Sequence, residues 1–398
     1  MIAMDLASPL AIIPARCGSK GIPGKNLRQV GGVSLLVRSI QSVQDCLPGG
    51  RVFVSTDSTE YVEEAKAAGA HVIERPAELA SDEASSEAAL LHALDQIEVI
   101  EEGLPEVFFF LQCTSPLLRS ADLTKAYNLL WEREADVVFS GTPFYHFLWK
   151  KDQKDSWTGI NHDPMIRERR QDREQQVLEN GAFYLMRTKG FRSSCHRFFG
   201  KVVPYLMPPE RSLEIDSPSD LLMAETMANY LDRLAKIDKL PDKPKALVLD
   251  FDGVLTDNRV VTDQRGEESV VCDRADGMGL ELLRNQTDLE VAVFSKERNP
   301  VVDARCAKLG IPCFSARDDK LGALKTWLQE RGIRAADCCF VGNDVNDREC
   351  MEAVGCGVAV ADAHLEVLPS ANLVLANKGG QGAVREICDL LRQKLGND

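Results

Sequence analysis

The chain has 398 residues, enough for two or three domains, and its 44% hydrophobic content can fill their cores. A formal charge of −14 disfavours nucleic acid or an anionic membrane surface as a partner, so any anionic ligand must be held by a local basic pocket. No apolar run approaches the roughly 20 residues that span a bilayer, and no basic-then-apolar leader opens the chain, so a cytoplasmic location is expected. The 12 cysteines show no C-x-x-C spacing, which fits reduced thiols buried as small apolar side chains.

Residues 10 to 140 alternate short apolar runs with amphipathic stretches. Strands are expected at Leu10–Ile13, Arg51–Ser55, Ala70–Ile73, Val107–Leu111 and Asp136–Ser140, with helices at Ser34–Val43, Glu60–Ala68 and Glu83–Ile100. This alternation predicts an α/β fold: a mostly parallel sheet with helices on both faces and its ligand at the carboxyl ends of the strands. Immediately after the first strand comes Pro14-Ala15-Arg16-Cys17-Gly18-Ser19-Lys20-Gly21-Ile22-Pro23-Gly24-Lys25-Asn26-Leu27. Its glycines let backbone N–H groups approach an anion, and Arg16, Lys20 and Lys25 add charge, a combination suited to a triphosphate. It lacks the G-x-x-x-x-G-K-[ST] of a Walker loop. Asp57 ends the second strand and reads either as a helix cap or as a site residue. The loop from Arg75 to Ser86, stiffened by Pro76, runs into a helix N-terminus and could read the base and ribose of a nucleotide. Glu214 and Asp216 are two residues apart in L-E-I-D-S-P; on a strand they would share a face, and two such carboxylates need a cation, with oxygen ligands selecting Mg²⁺.

The motif P-A-R-x-G-S-K-G-I-P-x-K-N-L resembles the signature of the CMP-sialic acid synthetases (N-acylneuraminate cytidylyltransferases), with Cys17 where that family usually has glycine. The resemblance implies a nucleotidyltransferase that activates a nonulosonic acid with CTP. It implies nucleotide contacts from Arg16, Lys20, Lys25, Asn26, Arg75 and Ser86, with Arg16 and Lys20 also serving catalysis. Leu111-Gln112-Cys113-Thr114-Ser115-Pro116 and Glu179-Asn180-Gly181-Ala182-Phe183-Tyr184 are similar to further family motifs. On the sugar side they imply Gln112, Arg170 (a fork for the substrate carboxylate), Asn180, Tyr184 and Phe198. Asp216 keeps the family's metal residue, while Glu214 departs from its D-I-D pattern. Residues 141 to 175 are polar and irregular, and read either as a mobile surface segment or, by resemblance, as an arm packed on a second subunit.

Lys236 to Pro244, charged and with two prolines, reads as a linker between a domain over residues 1–235 and another over 245–398. A buried strand from Ala246 then ends in Asp250-Phe251-Asp252-Gly253, which resembles the first motif of the haloacid dehalogenase phosphatases. The resemblance implies that Asp250 attacks phosphorus, Asp252 acts as acid and base, Ser295 and Lys320 hold the phosphate, and Mg²⁺ binds among Asp250, Asp252, Asn343, Asp344 and Asp347. Asp276-Gly277-Met278-Gly279 and Gly379-Gly380-Gln381-Gly382 are similar to the phosphatases of eight- and nine-carbon keto-sugar acids. Asn343, Gln381 and Ala275 depart from those relatives. Too few residues separate Asp257 from Ser295 for a cap domain. The whole chain thus reads as two Rossmann-like domains, a cytidylyltransferase followed by a capless haloacid dehalogenase-like domain acting on a sugar 9-phosphate. A homo-oligomer is expected, dimeric through the first domain and tetrameric through the second. The rival readings are a catalytically silent second domain that only tetramerises, and a first domain specific for the eight-carbon acid Kdo.

Overall fold

The apolar run that opens the chain becomes the middle of a sheet. Strand β1 (Leu10–Pro14) pairs in parallel with β2 (Arg51–Thr56) on one side and β4 (Val107–Leu111) on the other, and Leu10 to Ile13 are fully buried. The computed structural model describes residues 9–18, 21–46, 51–81, 83–153, 155–315 and 319–396. The chain divides into two units between Asn229 and Tyr230.

In the first unit, β3 (His71–Glu74) extends the sheet beyond β2. On the far side of β4 lie β5 (Val137–Phe144), β6 (Gln176–Arg187) and the edge strand β7 (Val202–Leu206), giving the order β7-β5-β6-β4-β1-β2-β3. Only β6 runs antiparallel, to both β4 and β5. Neither β6 nor β7 was expected from periodicity. The first begins in the polar Q-V-L-E-N-G and bulges between Glu179 and Tyr184, with Gly181 at φ 67°. The second contains Pro204, which only an edge strand tolerates. Helices α1 (Leu35–Gln44) and α2 (Thr59–Ala67) follow β1 and β2, as the alternation predicts. Helix α3 (Ser86–Glu101) starts three residues later than expected, because the Ser85 hydroxyl accepts the Ala88 N–H at 3.1 Å and caps it there. The 141–175 stretch is ordered in part: β5 reaches Phe144, and a small hairpin pairs Trp149–Lys151 with Trp157–Gly159.

The segment expected as a linker begins inside a helix that runs from Pro218 to Asp238. Ile237 and Leu240 are buried in the second unit's core, and Lys236 pairs with Glu386 at 2.6 Å.

The second unit is a six-stranded, wholly parallel sheet. Its central strands are β8 (Ala246–Leu249) and, beside it, β11 (Glu290–Phe294) and β13 (Cys338–Gly342). Between β8 and the next helix, α7 (Arg274–Gln286), stands a two-stranded hairpin, β9 (Thr256–Thr262) with β10 (Glu268–Cys272), and no cap domain is seen there among the described residues. Helix α11 (Ala383–Gly396) packs on α7, and Gly279 permits the approach: a Cβ there would lie 3.0 Å from the Arg385 backbone.

Asp276, fully buried in the first turn of α7, accepts the Arg385 N–H at 2.8 Å at the start of α11. Burial outweighs that hydrogen bond and pushes its carboxyl up from 3.8 to about 6. The neutral acid is therefore the better tolerated form, and the stability it supplies is complete below pH 3.8 and lost as pH rises through about 6. Relative to the wild type, Asp276→Asn should gain stability steadily as pH goes from 4 to 7, read from urea midpoints. A difference independent of pH would contradict the assignment.

Candidate active sites at two sheet edges

The first site lies where the rule for such sheets places it, beyond the ends of β1, β2 and β4. A pocket of about 350 Å³ is lined by Arg16, Lys25, Asn26, Arg75, Ser86, Gln112 and Asp216, seven of the residues singled out in the sequence. Arg75 is buried, its guanidinium donating to the Ser55 carbonyl at 2.6 Å and hydroxyl at 3.1 Å. Burial lowers its pKa, Asp57 opposes that, and Arg16 adds repulsion, so two arginines and one aspartate share this corner. Asp57 also accepts the Cys17 N–H at 2.9 Å, tying the basic loop to the end of β2. Lys25 donates to the Ile215 carbonyl at 2.9 Å and pairs with Asp216 at 3.3 Å. Gly21 is required beneath it, since a Cβ would sit 2.4 Å from the Asp216 carbonyl oxygen. Lys20 lies outside the described residues.

Glu214 and Asp216 do share a side, but on an extended loop rather than a strand: buried Ile215 lies between them and donates to the Thr114 carbonyl at 2.8 Å. Burial, and then the charge of Asp216, push the Glu214 carboxyl up. Gly181 faces the same corner, where a Cβ would come within 2.7 Å of Gln112 Oε1 and 3.4 Å of Glu214 Oε1.

The other sugar-side candidates sit less directly. Tyr184 is buried, stacked on the pocket residue Phe110 at 5.2 Å, with its hydroxyl donating to Glu179. Phe198 packs edge-on against Tyr184 at 6.0 Å, behind the wall. Asn180 uses its amide internally, donating to Ser212 Oγ at 3.1 Å and accepting the Ala182 N–H at 3.3 Å. Arg170 is exposed on the 141–175 segment, stacked over Tyr145 at 4.0 Å.

In the second unit, a pocket of about 270 Å³ is lined by Asp250, Asp252, Ser295, Asn343 and Asp344, together with Asn258, Lys296, Glu297 and Asn346. Lys320 is buried and bridges Asp250 at 3.0 Å and Asp347 at 2.6 Å. Asp347 does not line the pocket. It is fully buried, accepts the Asn343 N–H at 2.9 Å, and so fixes both Lys320 and the acidic loop. Burial, and then Asp347, push the Asp250 carboxyl up against the pull of Lys320. Asp252 is raised too, by burial and then by Glu297. Gly379 and Gly380 press on the loop from behind: a Cβ on Gly379 would lie 1.9 Å from the Gly253 carbonyl oxygen.

The sequence model of the cytidylyltransferase family matches residues 10–236. N-acylneuraminate cytidylyltransferase A of Danio rerio is 33% identical over 396 residues, covering 96% of this chain and 89% of that protein. The chain belongs to the N-acylneuraminate cytidylyltransferase family. A second sequence model, that of the haloacid dehalogenase-like hydrolases, matches residues 312–387. The 3-deoxy-D-manno-octulosonate 8-phosphate phosphatase KdsC of Escherichia coli K12 is 38% identical over 161 residues, 40% of this chain and 83% of that protein. Among solved structures, a putative haloacid dehalogenase family hydrolase from Streptomyces avermitilis is 46% identical over 38% of this chain and 86% of that one, with a TM-score of 0.37.

Several site residues of this cytidylyltransferase family member escaped the sequence reading. Glu297 was within reach, being two residues past a strand end already singled out at Ser295. Arg197, which packs behind Phe110 and Tyr184 without lining the pocket, gave no pattern, because its partner Glu87 is 110 residues away in sequence.

Lys320→Ala would leave Asp250 and Asp347 buried together without their cation, a change that costs roughly 3–5 kcal/mol for broken buried pairs. Denaturant unfolding should show a loss of that order in the second unit. A loss within experimental error would mean that Lys320 does not hold this loop.

Proposed function

We propose that the first unit transfers the cytidylyl group of CTP to the C2 hydroxyl of a nonulosonic acid, and that the second hydrolyses the 9-phosphate of such an acid. The observation that carries the first reading is the convergence of Arg16, Lys25 and Arg75 with Gln112 and Asp216 in one pocket at the sheet edge. In the proposed reaction the C2 hydroxyl gives its proton to solvent, its oxygen bonds to the α-phosphorus of CTP, and the bond to pyrophosphate breaks. No covalent enzyme intermediate is needed, so alignment and positive charge at the departing pyrophosphate do the catalysis. Glu214 and Asp216 fit a divalent cation: both are acidic, Glu214 is raised by burial and then by Asp216, and Lys25 balances only one charge. Mg²⁺ commonly binds through one or two carboxylates plus substrate phosphates, and would here spread the negative charge of the phosphate oxygens.

In the second unit, Asp250 would attack the phosphorus, breaking its bond to the sugar oxygen and forming an aspartyl-phosphate. Asp252, whose raised pKa suits a proton donor, would give its proton to that oxygen and later take one from a water that bonds to phosphorus as the bond to Asp250 breaks and phosphate leaves. Asp250, Asp252, Asn343 and Asp344 would hold Mg²⁺ there, which supplies positive charge beside the phosphate. Asn343, an amide among these acids, favours a second reading in which this unit only assembles the protein. The exposed Trp149, Trp157, Met165 and Ile166 support a subunit contact through the first unit, in line with a dimer there and a tetramer through the second.

Pyrophosphate release from CTP, assayed with neuraminate, KDN, legionaminate and pseudaminate, tests the transferase; no release with any of them would overturn it. Asp216→Asn should raise the Mg²⁺ requirement more than Glu214→Gln does, because Asp216 lines the pocket and Glu214 does not. Metal titrations giving the reverse order would refute that ranking.

Asp250→Asn should remove phosphate release from a nonulosonate 9-phosphate and leave cytidylyl transfer unchanged, since asparagine keeps the shape but not the nucleophile. If the wild type releases no phosphate either, the assembly-only reading stands.

A further inference from the structure

Arg197 lies in the loop after helix α5 (Thr188–Ser194) and does not line the pocket, yet it touches both kinds of wall around it. Its Nε donates to Glu87 Oε1 at 2.6 Å, and both side chains are largely buried. Glu87 is in the first turn of α3, next to Ser85 and Ser86, which close the nucleotide loop and line the pocket. The face of the same guanidinium lies 4.8 Å from the Tyr184 ring and 5.2 Å from the Phe110 ring. Phe110 lines the pocket two residues before Gln112, and Tyr184 is stacked on it from the neighbouring strand. The Tyr184 hydroxyl then donates to Glu179, on the strand that carries Gly181 past Gln112 and Glu214. Glu87, Arg197, Tyr184 and Glu179 thus form one line of contacts, from the end of the nucleotide loop to the sugar-side corner.

A surface ion pair would contribute little. This one is enclosed, and the Glu87 carboxyl, raised by burial, is brought below its ordinary range by the Arg197 hydrogen bond. The planar Arg197 guanidinium donates to Glu87 in its plane while its face lies over the two rings. When one ligand orders a shared element, the second ligand meets it already ordered, and the two bind cooperatively.

We propose that Arg197 is a positioning residue that couples the nucleotide and sugar-acid subsites, so that each ligand tightens the other through the Glu87–Arg197–Tyr184 contacts. The proposal rests on the transferase reading above. It concerns the linkage between subsites rather than the chemistry at either.

The test is titration of the full-length protein with CDP, which lacks the pyrophosphate leaving group, with and without saturating N-acetylneuraminate and Mg²⁺. The acid should tighten CDP binding about fivefold or more in the wild type, in the range of ordinary coupling between sites. In Arg197→Met, CDP alone should bind within about threefold of wild type, and the acid should no longer tighten it. Glu87→Gln, a milder change, should weaken the coupling in the same direction, and it serves if the methionine variant does not fold. A merely structural arginine would lower the melting temperature and leave the coupling ratio at its wild-type value, which would overturn the proposal, as would a wild type with no coupling. Wild-type turnover of CTP with the acid, measured in parallel, separates this outcome from failure of the transferase reading itself.

Discussion

Carboxylates crowd the carboxyl-terminal edge of each sheet, and in each case one lysine holds them. In the first unit Lys25 bridges the Ile215 carbonyl and Asp216, with Glu214 alongside and raised. In the second, Lys320 lies between Asp250 and Asp347. In each cluster the carboxylates outnumber the lysine, and burial followed by a neighbouring acid pushes Glu214 up in one and Asp250 up in the other. In a chain that is acidic overall, these clusters set local cations directly beside carboxylates at the sheet edge.

Glycine makes both arrangements sterically feasible. Gly21 lets the basic loop lie against the Asp216 carbonyl, and Gly181 leaves room for Gln112 and Glu214 to face each other. At these positions a side chain would displace the Asp216 backbone and the Gln112 amide, so the glycines fix where the neighbouring acids stand.

Much of this was legible in the sequence because local chemistry dictated it. Strand β1 and the strand leading to Asp250 are unbroken apolar runs, and the basic loop and D-x-D-G follow them directly. Parallel strands then brought Arg16, Arg75 and Gln112 to one edge without further information. Strand β6 was not legible, because it runs against its neighbours and its polar first half carries the site-facing bulge. The resemblance implied Asp347 as a metal ligand, and in the structure its side chain faces Lys320 and the backbone of its own loop. Spacing gives the loop a residue is on; which way its side chain turns depends on partners far away in the chain. The same holds for Asn180, whose amide is taken up by Ser212 and Ala182.

The contact of Gly379 and Gly380 with the loop after Asp250 has a consequence for how the chain is made. Gly380 donates its N–H to the Val254 carbonyl at 2.9 Å, and both glycines abut residues 253 to 257. The loop after Asp250 therefore cannot reach its final form until Gly379 and Gly380 have left the ribosome. About 130 residues separate the two, so at ~5–20 residues per second the loop waits roughly 6–26 s for the segment that shapes it. Through that interval the first unit is complete in sequence and free to fold, while the second remains without the wall against which its acidic loop is set.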